Sequence, residues 1–223
     1  MKLCVSLVLI AFAASAASAA DSLFVGDEPR PADAVVLFDG KDLAGWLYVG
    51  SDKPAHWKVE NGCMEVSGGS IYSKQVFGDH QLHVEFRLPP AKSGSHEERA
   101  NSGVYVYGLY EIQVLDSYGL TPGGGDCGAI YGVAAPMVNA CRPPGCWETF
   151  DIFFRAPRFD EKGNKTSNAR MSVIHNGVWI HVNAEIPGPT AGAMVRDEKT
   201  PGPVMLQDHG SPVQFRNVWA RKL

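Results

Sequence analysis

Short hydrophobic runs recur along the chain, separated by glycine, proline, asparagine and aspartate. Many alternate apolar with polar positions, as half-buried β-strands do, and none keeps a helical period of about 3.6 residues. Short strands between regular turns are typical of β-sandwiches and jelly rolls, so we expect an all-β domain with few and short helices. Predicted strands include residues 35–38, 56–60, 63–66, 81–88, 103–107, 110–115, 149–155, 171–175, 178–182, 204–207 and 213–221.

The clearest turn is Asn176-Gly177, which lies between two of these runs. Asn-Gly accommodates the positive φ angles of a type I′ turn, so residues 171–182 are predicted to form a β-hairpin. Three segments fit no strand, and such long irregular loops are either functional or linker-like. They are residues 89–100, 120–126 and 188–203.

The first twenty residues have the pattern of a secretion signal. Lys2 precedes an apolar run over residues 3–14, and Ala17-Ser18-Ala19 offers a cleavage site. We therefore expect residues 1–20 to be removed and the protein to be periplasmic or secreted. Residues 21–34 form an entry segment, and residues 35–223 form one domain. No later run approaches the roughly 20 apolar residues of a membrane helix.

The charge of the chain limits the kinds of molecule that it is expected to bind. The chain has 20 basic and 24 acidic residues and no basic patch, so a nucleic acid is not expected to bind. The oligomeric state stays open.

After the signal, an even number of cysteines remains, which favours disulfides in an exported protein. These cysteines are Cys63, Cys127, Cys141 and Cys146. We expect Cys141 to pair with Cys146, or one of them with Cys127. A metal site at 141–146 is less favoured, because two prolines separate these cysteines and no second ligand pair follows.

The run 110–115 combines an apolar face with a polar one. Glu111 and Gln113 alternate with Ile112 and Val114, so the two pairs point to opposite faces of a strand. Asp116 is out of phase, and a bulge near residue 115 would return it to the polar face. Two carboxylates and an amide would then suit proton transfer on a sugar. A solvated edge strand is the alternative.

Several segments together resemble one family. They are residues 37–46 (LFDGKDLAGW), 85–87 (EFR), 101–103 (NSG), 110–116 (YEIQVLD), 128–132 (GAIYG), 144–147 (PGCW) and 206–217 (LQDHGSPVQFRN). From about residue 35 to 223 the chain is similar to the 3-keto-disaccharide hydrolase domain family. One departure is Cys146, which stands where an acidic residue is usual.

The resemblance implies a concanavalin A-like jelly roll of two curved antiparallel sheets, with the ligand on the concave sheet. It also implies exported enzymes that act on glycosides whose sugar carries a ketone. Laminarinase-like enzymes of this fold have a Glu-x-Asp-x-x-Glu strand, whereas this chain has Glu111, Gln113 and Asp116. That departure disfavours an ordinary glycosidase. A non-catalytic carbohydrate-binding module is the other alternative.

A ketone acidifies the neighbouring C–H bond, so a base can start β-elimination of the glycosidic oxygen, and water then adds back. Glu111 or Asp116 is the predicted base, and His209 is the predicted acid or enolate stabiliser, although a histidine there could simply cap a turn. Predicted sugar-binding residues, each with a structural alternative, are Gln113, Arg87, Asn101, Ser102, Tyr131 and Trp147, and Asp208 would orient His209.

No cofactor is required by these residues. His80 and His83 are three apart on a strand, so they lie on opposite faces and cannot share one ion. Glu111, Asp116 and His209 could together hold a hard divalent cation, which would polarise a ketone.

Overall fold

The computed structural model describes residues 30–51, 53–90 and 99–223. The predicted signal peptide, most of the entry segment and the middle of the 89–100 loop lie outside these residues. The described part contains strands and turns and no helix. No described segment could cross a membrane as a helix.

Fifteen strands form the framework, labelled β1 to β15 in chain order. The prediction of run 110–115 is confirmed to the residue, and most other predicted runs differ from the observed strands by one to four residues at an end. The strands are Val35–Phe38, Trp46–Tyr48, Lys58–Glu60, Cys63–Glu65, Ile71–Phe77, His80–Arg87, Asn101–Val106, Tyr110–Leu115, Trp147–Arg155, Arg158–Phe159, Lys165–Ser167, Ala169–His175, Val178–Ile186, Gly202–Leu206 and Gln214–Lys222.

The strands form two main antiparallel sheets. The larger has the order β13-β12-β9-β6-β15-β4-β3, with β1 also paired to β15, and the smaller has the order β2-β5-β14-β7-β8. Strands β10 and β11 form a separate ribbon. The predicted all-β sandwich of two antiparallel sheets, as in a concanavalin A-like jelly roll, is confirmed.

Alternation along the strands builds the core between the sheets. Leu82, Val84 and Phe86 of β6 are fully buried, as are Ile112 and Val114 of β8, and all belong to one hydrophobic cluster. The residues between them therefore lie on the outer faces of the two sheets.

The predicted hairpin is confirmed. Strands β12 and β13 pair from His175–Val178 outward, and Asn176 and Gly177 have φ angles of 50° and 81°. Both angles lie in the left-handed region that a type I′ turn requires.

Candidate active site

The outer face of the smaller sheet carries a polar cavity of about 210 Å³. Strand pairing places one wall of the cavity, because Tyr105 of β7 lies opposite Glu111 of β8 and Gly103 lies opposite Gln113. Three segments outside the strands complete the walls: the connection between β8 and β9, the connection between β13 and β14, and the residues after β14. The lining residues are Asn101, Tyr105, Glu111, Gln113, Tyr131, Ala191, Gly192, Gln207 and His209.

Glu111 is held from both sides by backbone hydrogen bonds. Its N–H donates to Thr190 Oγ1 over 3.0 Å, and its carbonyl accepts from Tyr131 N over 3.2 Å. Gly103 gives the side chain room: an added Cβ there would lie 2.2 Å from Glu111 Oε1. The carboxyl therefore depends on a residue without a side chain diagonally across the ladder, because Gly103 pairs with Gln113.

Burial sets the acidity of this carboxyl. Glu111 is 3% exposed, and its burial raises the pKa to about 7, an effect that the neighbouring Tyr105 hydroxyl opposes only in part. None of the residues that line the cavity is a lysine or arginine. A carboxyl with this pKa exchanges a proton near neutral pH, which suits a general base or acid.

Tyr105 and Gln207 form the wall beside Glu111. Tyr105 Oη donates to the Ala191 carbonyl over 2.9 Å and accepts from Gln207 Nε2 over 3.2 Å. Burial, and then the nearby Glu111 charge, raise the pKa of Tyr105, so the hydroxyl stays protonated. Gln207 Oε1 is buried and has no hydrogen-bond partner among the described residues.

Two amides lie further along the same face. Gln113 Nε2 donates to Asn101 Oδ1 over 3.2 Å. Tyr131 and the exposed His209 also line the cavity. The structure thus brings together five of the predicted site residues, namely Glu111, Gln113, Asn101, Tyr131 and His209.

The predicted bulge in β8 is wrong. Strands β7 and β8 pair without a register shift from Val106–Tyr110 to Asn101–Leu115. Asp116 follows the strand end, where its N–H donates to the Ala100 carbonyl, and it does not line the cavity. The predicted cation set of Glu111, Asp116 and His209 is therefore not assembled.

Asp208 and Ser102 have structural roles instead of the predicted ones. The Asp208 carboxylate accepts from Gly69 N and Gly210 N, both over 2.8 Å, and so fixes a turn rather than the His209 ring. Ser102 is fully buried, and its hydroxyl donates to the Gln207 carbonyl over 2.6 Å. Neither side chain lines the cavity.

Arg87 and Trp147 lie on the opposite side of the sandwich. They pair across β6 and β9 of the larger sheet, and Arg87 lines a separate cavity of about 430 Å³. The Arg87 guanidinium lies 4.7 Å from the Trp147 ring centroid and bonds to Gln214 Oε1. The prediction that these two residues join Glu111 in one cleft is wrong.

The separation of the two histidines of β6 is confirmed. His80 is fully buried, with Nδ1 2.7 Å from the Gly78 carbonyl. His83 lies on the outer face, 2.9 Å from Asp151 Oδ1. They belong to opposite faces of the larger sheet, as their spacing predicts.

All four described cysteines, Cys63, Cys127, Cys141 and Cys146, are free thiols. None of the predicted disulfides is formed in the structure.

Comparisons with known proteins agree on the type of domain. A family model described as "3-keto-alpha-glucoside-1,2-lyase-like domain" matches residues 33–221. A 3-keto-disaccharide hydrolase from Bacteroides thetaiotaomicron is 29% identical over an alignment of 104 residues, with coverage of 40% of this chain and 33% of that protein. The match thus spans about a third of the length of that curated relative.

Two crystal structures from Parabacteroides distasonis are similar over most of the chain, and both are provisionally assigned as glycosyl hydrolases. One has a TM-score of 0.78 and 40% identity, covering 86% of this chain and 84% of that one. The other has a TM-score of 0.61 and 25% identity, covering 85% and 99%.

Proposed function

The chain belongs to the 3-keto-alpha-glucoside-1,2-lyase-like domain family, as its motifs predict, and on that premise we propose that it cleaves 3-keto-glycosides by elimination followed by hydration. One observation carries the proposal: a buried carboxyl, Glu111, has its pKa raised to about 7 on the wall of a polar cavity. A carboxyl of this kind suits removal of a proton beside a ketone near neutral pH.

In the proposed reaction Glu111 removes the proton from C2 of the sugar. The electrons of that C–H bond form an enolate with the C3 ketone. The enolate then expels the glycosidic oxygen from C1, leaving an unsaturated ketone and an alcohol. Water adds to C1 and a proton returns to C2, so the net change is hydrolysis. No oxidant or reductant is consumed.

The neighbouring polar groups have roles that follow from their hydrogen bonds. Gln113 Nε2 already donates to Asn101 Oδ1, which leaves Asn101 Nδ2 to donate to the developing enolate oxygen. Gln207, which also lines the cavity, is placed to contact the sugar. His209, at the exposed rim, gives a proton to the leaving oxygen. Tyr131, also 37% exposed, covers one face of the sugar ring.

The assay that tests this function compares a 3-keto-disaccharide with its unoxidised parent. We expect turnover of the ketone alone, and in deuterated water we expect deuterium at C2 of the released keto-sugar beyond that seen without enzyme. Cleavage of the parent sugar would instead indicate an ordinary glycosidase. Tight binding of the parent with no turnover of the ketone would indicate a binding module.

We also propose that the chain is exported through its amino-terminal segment and works in the periplasm or outside the cell. The signal pattern of residues 1–20 supports this. A mature protein that begins near Ala20 or Asp21, measured by intact mass on a cell-envelope fraction, is the expected result. An intact Met1 would contradict it.

A further inference from the structure

A second cluster of reactive side chains is buried away from the Glu111 carboxyl. Ligand atoms of Cys127, Cys141 and His175 all lie within 4.8 Å of one another. Cys127 is 3% exposed and His175 is 1% exposed. Cys127 and Cys141 lie 14 positions apart in the connection between β8 and β9, whereas His175 is the last residue of β12. Their meeting is therefore a product of the fold and not of a local motif.

The imidazole of His175 has one satisfied and one unsatisfied nitrogen. Nε2 lies 2.8 Å from Glu148 Oε2, whereas Nδ1 is buried and has no hydrogen-bond partner among the described residues. A buried ring nitrogen without a partner is costly and calls for one. Because Nε2 already contacts Glu148, Nδ1 is the ring nitrogen that is available to bind an ion together with the sulfur atoms of Cys127 and Cys141.

Glu148 is itself held in place. Its Oε2 also accepts from Arg142 N over 3.1 Å and from Asn176 Nδ2 over 3.0 Å. A fixed carboxylate on the far nitrogen sets the orientation and the tautomer of an imidazole, the arrangement found behind most metal-binding histidines. With a proton on Nε2, the Nδ1 lone pair is free to bind a cation.

We propose that Cys127, Cys141 and His175 Nδ1 bind a thiophilic metal ion, with Zn²⁺ as the ion that suits them best. Two sulfurs and one imidazole are the donor types that zinc takes in proteins, and a fourth position is left for water. Both thiols lose their protons on binding, so two thiolates neutralise the divalent charge and a buried complex carries no net charge at the ligands.

A disulfide between Cys127 and Cys141 is the competing explanation for the pair. It would use both sulfurs but would leave His175 Nδ1 without a partner. A bound metal ion explains why both sulfurs and the unpartnered His175 Nδ1 lie together, and it also explains why the Glu148 carboxylate contacts the other ring nitrogen.

The ion would hold a wall of the cavity. Cys127 begins the segment that runs along β8, where Gly128 N donates to the Gln113 carbonyl over 2.8 Å and Tyr131 N donates to that of Glu111. His175 belongs to the larger sheet. A bound ion would therefore tie the segment beside Glu111 to the opposite sheet.

The test uses the full chain purified without chelator, with metal content measured by mass spectrometry. We expect about one zinc per chain, and at least tenfold weaker Zn²⁺ binding for Cys127→Ser and His175→Ala. Glu148→Gln should weaken binding by about 10–100-fold through loss of the orienting carboxylate. Cys146→Ser, a nearby cysteine outside the cluster, is the matched control and should bind as the wild type does.

Two measurements on the wild-type protein keep the test valid if the variants do not fold. Replacement of zinc by Co²⁺ should give thiolate-to-cobalt charge-transfer absorption, and the denatured protein should show Cys127 and Cys141 as free thiols. A Cys127–Cys141 disulfide in the isolated protein would overturn the proposal. So would failure to bind Zn²⁺ or Co²⁺, or metal content unchanged in a soluble Cys127→Ser variant.

Discussion

Glu111→Gln is expected to lower turnover of a 3-keto-disaccharide by about 10²–10⁴-fold, the usual effect of losing a positioned general base. The substitution keeps the size of the side chain and removes its ability to take a proton. Binding of the substrate should change little, because the lost interaction belongs to the transition state. Steady-state kinetics with the keto-sugar measures both quantities.

Thermal melting distinguishes a catalytic role from a packing role. Burial raises the pKa of Glu111 from 4.5 to about 7, so the unfolded chain ionises first as the pH rises. Stability is therefore lost between about pH 4.5 and 7, and the glutamine variant escapes this loss. At pH 8 we expect it to melt at or above the wild-type temperature. Near-wild-type turnover, or activity lost in proportion to a fall in melting temperature, would refute the assignment.

The same carboxyl predicts the pH dependence of the wild-type enzyme. Only the ionised form can remove a proton, so kcat/KM should rise about tenfold per pH unit below about 7 and level off above it. A profile that is flat from pH 5 to 8 would exclude Glu111 as the base.

Gly103→Ala is expected to lower turnover by about 10²-fold or more, although residue 103 would not touch the substrate. The new Cβ would lie 2.2 Å from Glu111 Oε1 and 3.0 Å from Tyr105 Cε2. The carboxyl end is flexible and must move, and a displacement of about 1 Å in a reacting group can have an effect of this size. The melting temperature should change little, because side-chain ends rather than backbone give way.

Gly78→Ala is the matched control. An added Cβ at Gly78 meets no atom within 4 Å, so activity should stay at the wild-type level. Equal activity of the two alanine variants would show that the position of Glu111 does not matter. A crystal structure of the Gly103 variant with Glu111 unmoved and activity lost would contradict the explanation.

The parts of the site that depend on local pattern could be predicted from the sequence. Alternation alone placed Glu111 and Gln113 on one face of β8, and it separated His80 from His83 on β6. The Asn176-Gly177 turn was equally local, since it depends on backbone conformations that few residues adopt. Such features need no knowledge of which strand lies beside which.

The parts of the site that depend on topology could not be predicted from the sequence. Arg87 and Trp147 each lie on the outer face of their strand, as alternation predicts, but those strands belong to the larger sheet and not to the sheet that carries Glu111. Nothing in a strand's own pattern says which sheet it joins. The prediction that Asp116 joins the site required a bulge in β8, and the regular ladder between β7 and β8 contains none.

Two wall residues were missed for different reasons. Tyr105 follows the same alternation as Asn101 across the hairpin from Glu111, so pairing the runs 101–106 and 110–115 would have found it. Gln207 directly follows β14, and it reaches Tyr105 only because β14 lies between β5 and β7 in the sheet. That insertion is a long-range event with no local signal.

The position of β15 has a consequence for how the chain is made. It is a central strand of the larger sheet, with β6 on one side and both β4 and β1 on the other, and Arg87 pairs with Gln214, a residue 127 positions later in the chain. At a synthesis rate of about 5–20 residues per second, β6 waits roughly 6–25 s for this partner. Throughout that interval the nascent chain exposes unpaired strand edges that invite aggregation, so chaperone protection should matter more for this protein than for one whose central strands are neighbours in sequence.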